Sequence, residues 1–253
     1  MIKRIIAVFA VALCVYGSSG PKACAQDAQA LVASSFNYVR GKTSIAVVEM
    51  TIHRPEWERK MTLKAWTRGE DTSLIRIIAP AKDEGNATLK KGSEMWTYNP
   101  KVNRVIKIPP SMMSQSWMGS DFSNNDLAKS DSILRDYVHT LAGTESHHGK
   151  TVYLIESRPK PRAPVVWGMQ KLKIREDRIF LAEGYYDEDL KLVKQMTAHE
   201  IQQLGGKLFP KIWKMKKADA VDEYTVLDYR ELVFNEAIPD TLFTLSSLKR
   251  PAR

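Results

Sequence analysis

Two short motifs in this sequence contain residue types that can carry out chemistry. His199 and Glu200 begin like the metal-binding helix of a zinc protease, but Gln203 stands where that helix has its second histidine. The residues around them also alternate like a strand rather than a helix. Ser120 beside Asp121 is an isolated pair with no histidine near it in the sequence, so a helix-capping role is the better interpretation.

The other candidates for an active site fail on similar grounds. His147 and His148 lie in a turn between Ser146 and Gly149, where a solvated loop or adventitious metal binding explains the pair better than a functional centre. The sequence contains neither a Gly-x-Ser-x-Gly elbow nor a glycine-rich phosphate loop. We therefore expect no catalytic residue, no metal ligand and no cofactor, and a hydrolase is the least favoured class.

The N-terminus has the order of a secretory signal peptide. Lys3 and Arg4 precede an apolar run of about a dozen residues, which is too short to span a bilayer, and small residues follow it. We expect cleavage after Ala25 rather than lipidation at Cys14 or Cys24, because neither cysteine has the flanking residues of a lipoprotein signal. Both cysteines would leave with the leader.

The expected mature chain, residues 26–253, is long enough to bury a core as a single domain without disulfides. The full sequence has a net charge of +9, and the leader would remove only Lys3, Arg4 and Lys22, so the mature chain stays basic. A basic surface suits anionic lipid headgroups, an acidic protein or nucleic acid. Export makes nucleic acid the least suitable of the three.

Part of this charge lies in two lysine-rich stretches. Lys90-Lys91 and a second cluster interleaved with Trp213 and Met215 would form a docking surface for anionic lipid or an acidic partner. The lysines of the second cluster are Lys211, Lys214, Lys216 and Lys217. The alternative, which the period of two fits equally well and which we favour, is a solvated strand face with Trp213 and Met215 turned inward.

The segment after Pro109-Pro110 interrupts the strand pattern and is rich in adaptable apolar residues. Methionine fits variable apolar shapes, and tryptophan offers a large apolar face with one polar atom. Because long irregular segments are often functional, we expect a lid over a lipid-sized pocket, with ordinary core beneath a long loop as the alternative. The expected lid and pocket residues are Met112, Met113, Trp117, Met118 and Phe122, with Trp96 and Tyr98 as neighbours.

Strands must position these residues, because alternation of apolar and polar residues dominates the chain after Gly41. The predicted strands are 46–52, 61–65, 74–78, 94–98, 102–108, 151–157, 170–175, 180–186, 190–199, 206–215 and 225–234. Hairpin turns at 99–101, 176–177, 187–189 and 205–206 predict that sequential strands pair in one antiparallel meander.

Helical patterns are few. One amphipathic helix runs from a capping Asp27 to Gly41, a short helical stretch lies around 124–129, and another short helix follows Pro239-Asp240. The sequence therefore predicts an α+β fold: a strongly curved antiparallel sheet of about 10–11 strands with helices over its concave face. Because the helices are too small to fill a wide sheet, we expect a hydrophobic cavity beneath them.

Four stretches carry a resemblance to a known family. They are KGSEMWTYNP at 91–100, RVIKIPPSMM at 104–113, WMGSDFSNNDL at 117–127 and IPDTLFT at 238–244. Together they resemble the LolA-like outer-membrane lipoprotein-sorting family, and the resemblance extends over essentially the whole mature chain. It implies an incomplete, unclosed antiparallel β-barrel whose cavity accepts acyl chains.

The resemblance also implies a function. The best-understood relatives shuttle lipoproteins from an inner-membrane transporter to an outer-membrane receptor, and other proteins of the fold sense lipidated protein. We expect a soluble, monomeric, non-enzymatic periplasmic carrier of lipid or lipoprotein in outer-membrane sorting or lipid transport. Its partners would be acyl chains, an inner-membrane transporter of ABC or RND type and an outer-membrane acceptor. The alternative is a lipid-responsive sensor or adaptor subunit of an inner-membrane exporter or signalling protein.

Overall fold

The computed structural model describes residues 21–250, with side chains from residue 28 onward. Residues 1–20, most of the predicted signal peptide, lie outside the described residues. Within the described part, none of the helices combines the length and the hydropathy that a membrane span requires.

A single antiparallel sheet of 13 strands forms the body of the protein. The strands are β1 Thr43–Arg54, β2 Trp57–Arg68, β3 Thr72–Ala79, β4 Ala87–Lys91, β5 Glu94–Asn99, β6 Arg104–Lys107, β7 Tyr137–His147, β8 Lys150–Pro159, β9 Met169–Arg175, β10 Phe180–Tyr186, β11 Leu192–Leu204, β12 Lys207–Lys217 and β13 Tyr224–Phe234. The sheet is curved and not closed, as the sequence and the resemblance predicted. The predicted strand count of about 10–11 was too low, because β4 and β7 lack clear alternation.

The strand order is β6-β5-β4-β3-β2-β1-β13-β12-β11-β10-β9-β8-β7. Two meanders, β1–β6 and β7–β13, are therefore joined where the first strand pairs with the last. The predicted single meander of sequential neighbours was wrong at one step. β6 and β7 follow each other in the chain, yet they form the two opposite edges of the sheet.

The four predicted hairpin turns each connect two strands that pair. The turn between β11 and β12 illustrates the physical reason. Gly205 and Gly206 have φ of +61° and +79°, a left-handed pair that matches the twist of the flanking strands and that residues with a Cβ rarely adopt.

The helix that opens the described chain, α1, spans Pro21–Arg40. Its end confirms the predicted stop at Gly41, which has φ +70° and donates its backbone N–H to the Asn37 carbonyl at 2.8 Å. The predicted start at Asp27 was wrong, because the helix begins earlier and Asp27 does not cap it. Within α1, Ala28 and Val32 are buried against the sheet.

The remaining helices are short. They are α2 Asn124–Ala128, α3 Ser132–Arg135 and 3₁₀ turns at Pro110–Met112, Asp240–Leu242 and Ser247–Lys249. Ser123 caps α2 in a capping box with Asp126, which confirms the predicted helical stretch. The predicted C-terminal helix is instead two 3₁₀ turns, which bury Phe243 and Leu248 against the outer face of the sheet.

The two faces of the sheet follow from alternation along β1. Ala46, Val48, Met50 and Ile52 are buried and point to one face, which we call the concave face. On the half formed by β7–β10, this face is covered by α1. The opposite, outer face is covered over β2–β5 by the C-terminal turns, which Arg76 holds by donating to the Ser247 carbonyl at 2.7 Å.

Ile52→Ala tests the assignment of the concave face. Ile52 is fully buried, so the variant should lose about 2–5 kcal/mol of unfolding free energy, from lost burial and the cavity left behind. Thr51→Ala, at the neighbouring position on the other face, should lose less than about 1 kcal/mol. Denaturant unfolding measures both, and similar losses would contradict the alternation.

Candidate functional site

A cavity of about 400 Å³ lies between the concave face and its cover. The cavity wall is mainly apolar and draws on α1, on both meanders and on the segment between β6 and β7. Its apolar residues include Phe36, Val39, Val48, Leu63, Ile75, Trp117, Phe122, Leu127, Phe209, Trp213, Leu227 and Leu232. A pocket of this size and character suits a small apolar ligand or part of a larger one.

The cover opposite α1 is the connection between the two edges of the sheet. We call residues 108–136 the crossover, because this segment leaves β6 at one edge and reaches β7 at the other. It contains α2 and α3 and packs Trp117 and Ala128 into the apolar core of the concave face. The crossover is therefore part of the cavity wall.

Three buried aspartates fix the crossover to the sheet. The first, Asp121, accepts hydrogen bonds from Arg54 of β1 at 3.0 Å and from the Thr225 hydroxyl of β13 at 2.6 Å. Its side chain is fully buried, so the ion pair with Arg54 is shielded from water. This anchor joins the crossover to the two strands at which the meanders meet.

The other two anchors reach opposite halves of the sheet. Asp126 pairs with Lys194 of β11, and Asp131 pairs with Lys90 of β4 at 2.7 Å. All four side chains are buried, and burial lowers the pKa of Lys90 to about 8. Lys90 was predicted to lie on a basic surface, but it points inward and pairs with Asp131 of the crossover.

The predicted lid residues occupy different positions. Trp117 and Phe122 line the cavity, and the Trp117 indole donates to the Thr88 hydroxyl of β4 at 3.0 Å. Met113 and Met118 are partly buried against the apolar core without lining the cavity, and Met112 is 36% exposed. Part of this segment therefore lines the cavity, and part packs against the apolar core.

Trp96 and Tyr98 lie away from the cavity. Both point to the outer face of β5, where Tyr98 packs in the cluster closed by Phe243 and Leu248. The expectation that they neighbour the pocket was wrong, because alternation in β5 directs Met95 to the concave face and Trp96 and Tyr98 to the outer face.

The lysines of the predicted docking surface are mostly engaged within the protein. Lys211 lies 3.5 Å from the Asp228 carboxylate, and the Lys214 ammonium sits over the Tyr224 ring. Lys216 is exposed but donates to the Val221 carbonyl at 3.2 Å, and Lys217 is exposed. Trp213 and Met215 are buried, so the favoured alternative, a strand face with these two turned inward, describes β12 better.

The chemical motifs noted in the sequence lie on different elements of the structure. His199 lies on β11, where its ring contacts the Thr197 hydroxyl. His147 and His148 form the end of a hairpin, and Asp121 serves an ion pair rather than the predicted cap. Within residues 28–250, no group of three or more His, Cys, Asp or Glu side chains is placed to hold a metal ion.

A polar row that the sequence analysis missed crosses the concave face. Each member pairs in register with the next on the neighbouring strand, from β7 to β11. The row is His139, Ser157, Gln170, Tyr185 and Lys194. Its first link is a 2.7 Å hydrogen bond between His139 of β7 and Ser157 of β8. Because Nε2 of His139 donates to the Ile133 carbonyl, Nδ1 accepts this bond from the Ser157 hydroxyl.

Glu183 of β10 adds a carboxyl group to the cavity wall beside this row. Burial raises its pKa to about 7, and the charge of Asp126 acts in the same direction. The Tyr185 hydroxyl and Lys194 oppose the shift without cancelling it. Near neutral pH the cavity therefore contains a carboxyl group that changes charge.

The unclosed 13-stranded sheet and its covered apolar cavity define a LolA-like fold. A LolA superfamily protein from Nitrosomonas europaea shares it, with a TM-score of 0.72 and 23% identity over 87% of this chain and 98% of that chain. An outer-membrane lipoprotein-sorting protein domain from Vibrio parahaemolyticus matches with a TM-score of 0.75 and 20% identity, covering 89% of this chain and 100% of that chain.

The chain itself belongs to a family described as an uncharacterized protein, whose sequence model matches residues 69–250. A DUF1329 family protein from Desulfovibrio piger is similar at 25% identity, with a TM-score of 0.80, over 89% of this chain and 99% of that chain. No curated protein matches the chain.

Asp131→Asn tests the anchors of the crossover. The substitution removes the carboxylate that pairs directly with buried Lys90, so the free energy of unfolding should fall by about 3–5 kcal/mol. Asp189→Asn, at an exposed turn, should change it by less than about 0.5 kcal/mol. Lys90→Met combined with Asp131→Leu should recover most of the loss, and a double variant as unstable as Asp131→Asn would contradict the ion-pair explanation.

Glu183→Gln tests the carboxyl group in the cavity wall. The folded protein holds the Glu183 proton more tightly than the unfolded chain, so wild-type stability falls as pH rises from the unfolded pKa of 4.5 towards the folded pKa of about 7. The variant should be more stable than wild type by about 2–3 kcal/mol at pH 8 and by less than about 1 kcal/mol at pH 5. Denaturant unfolding at both pH values measures this, with exposed Glu231→Gln as control. A gain independent of pH would rule out the raised pKa.

Proposed function

We propose that this chain is a non-enzymatic periplasmic carrier that holds an acyl chain of a lipid or lipoprotein in the cavity beneath the crossover. The single observation that carries the proposal is the apolar cavity between the concave face and its cover. Burial of each methylene contributes about 0.8 kcal/mol relative to water. Because a bilayer offers the acyl chain a similar gain, transfer is nearly balanced, and the membranes or partner proteins decide its direction.

Export across the inner membrane is part of the proposal. The proposed leader, residues 1–25, would be removed after Ala25, and residues 26–253 would act as one monomeric domain between the two membranes. An inner-membrane transporter would supply the cargo and an outer-membrane protein would accept it. The likeness of fold to a lipoprotein-sorting domain is consistent with such a route.

The structure suggests where the cargo enters. A groove of about 510 Å³ lies beside the cavity, and the two share four wall residues. These are Phe122 and Asn125 of the crossover and Val166 and Trp167 of the β8–β9 loop. We call this boundary the mouth. Separation of the crossover from the loop there would connect cavity and groove while the three aspartate anchors stay in place.

Ala65→Trp tests the carrier function. Ala65 of β2 lines the cavity, so an indole at this position should fill the space that an acyl chain needs. Native mass spectrometry of protein from the periplasm should find an acylated ligand on wild type and at least about tenfold less on the variant. The intact mass should also report cleavage after Ala25. Lys64→Trp, on the opposite face of the same strand, is the matched control.

Vesicle assays extend the same comparison. Wild type and Lys64→Trp should move a fluorescent phospholipid from donor to acceptor vesicles, and Ala65→Trp should not. A wild-type protein that carries no ligand and transfers none would overturn the proposal. Ligand bound without transfer would instead favour a lipid-responsive sensor or adaptor.

A further inference from the structure

Beside the mouth, the cavity wall presents hydrogen-bond acceptors that the described residues leave unsatisfied. Gln170 is only 4% exposed, and its Oε1 receives no hydrogen bond from any described residue. In Asp126, Oδ2 takes the bonds from Ser123 and Lys194, whereas buried Oδ1 receives none within the described chain. Both side chains line the cavity. Buried acceptors without donors are costly, so they mark a place where a donor is expected to bind.

Glu183 brings a third acceptor group to the same place. It lines the cavity and interacts with Asp126, Tyr185 and Lys194, and Tyr185 packs against the Trp167 ring at the mouth, with ring centroids 5.3 Å apart. The polar groups thus lie at the end of the cavity next to the groove. An amphiphile would place its tail among the apolar residues and its head here.

The basic side chains that line the cavity or reach its polar groups are already engaged, and Lys129 among them donates to the Pro164 carbonyl at 2.5 Å. Lys194 pairs with Asp126 and lies over the Trp167 and Tyr185 rings, at 5.1 and 5.3 Å from their centroids. Arg40 of α1, which also lines the cavity, donates to the Thr72 carbonyl at 3.1 Å. At the polar end of the cavity, a negatively charged head would meet two carboxylates and an amide oxygen, whereas the exposed Lys191 and Lys217 line the groove and not the cavity. A head rich in N–H donors would satisfy all three.

We infer that the mouth recognises the polar head of the cargo, and that this head carries a primary ammonium group whose N–H donors face Gln170, Asp126 and Glu183. The inference rests on the proposed function, because it takes the apolar cavity as the site of the tail. It adds a selectivity that an apolar cavity alone does not have, since methylenes are the same in every acyl chain.

The charge of the mouth depends on pH through Glu183. The groups that face it are Asp126 from α2, Tyr185 from its own strand, Lys194 from β11 and Tyr137 from β7. With the Glu183 pKa at about 7, the carboxyl is mostly neutral at pH 6 and mostly ionised at pH 8. An ammonium ligand stays charged across this range, so its affinity should rise about tenfold between the two pH values.

Three probes with one tail and different heads test the inference. Dodecylamine, dodecanol and dodecanoate, each below its micelle concentration, are titrated calorimetrically into protein purified from cells that express the full-length sequence. At pH 8, dodecylamine should bind about tenfold more tightly than dodecanol, and dodecanoate most weakly. In Glu183→Gln, the preference for the amine over the alcohol should shrink to about twofold and lose its pH dependence.

Controls distinguish a failure of the head-group inference from a failure of the proposed carrier function. Unchanged dodecanol binding by Glu183→Gln shows that its cavity is intact, and Glu231→Gln should behave as wild type. Gln170→Leu, which removes an acceptor without removing charge, should also weaken the amine preference. Equal affinity for the three heads, tighter binding of dodecanoate, or an amine preference that survives Glu183→Gln would overturn the inference and leave the carrier function standing. No binding of any probe would overturn both.

Discussion

The placement of β6 and β7 at opposite edges of the sheet is the constraint on which the rest of this structure depends. Because these strands are consecutive in the chain, residues 108–136 must cross one face of the sheet to connect them, and they cross the concave face. A segment in that position cannot be an ordinary surface loop. It must bury apolar side chains below it and find partners for its own polar groups, and it does both.

The aspartates of the crossover show how the second requirement is met. Asp121, Asp126 and Asp131 each pair with a cation from a different part of the sheet. Buried ion pairs contribute little net stability, because desolvation offsets most of the attraction. Their value here is positional: the wrong placement would leave a buried charge unpaired, which is far more costly. The three pairs thus specify one placement of the cover and preserve the space beneath it.

Much of the fold could be predicted from the sequence, because strands such as β1 bury one face and expose the other. β4 and β7 were missed since burial there does not follow hydrophobicity: Lys90 and His139 are inside with polar partners. The site was harder to predict. Trp117 and Phe122 could be predicted from their residue types. Glu183 could not, because a register shift between Phe180 and Ala182 changes the face to which the later side chains of β10 point.

Asp126 links the position of the crossover to the binding of the ligand inferred at the mouth. One of its oxygens holds α2 to β11 through Lys194, while the other is free of partners among the described residues. A ligand that donates to the free oxygen contacts the same carboxylate that positions the crossover. Occupancy of the cavity and position of the cover are then linked, and the linkage acts equally in both directions. A carrier needs this coupling to release cargo when a partner moves the cover, and a sensor needs it to report cargo to a partner.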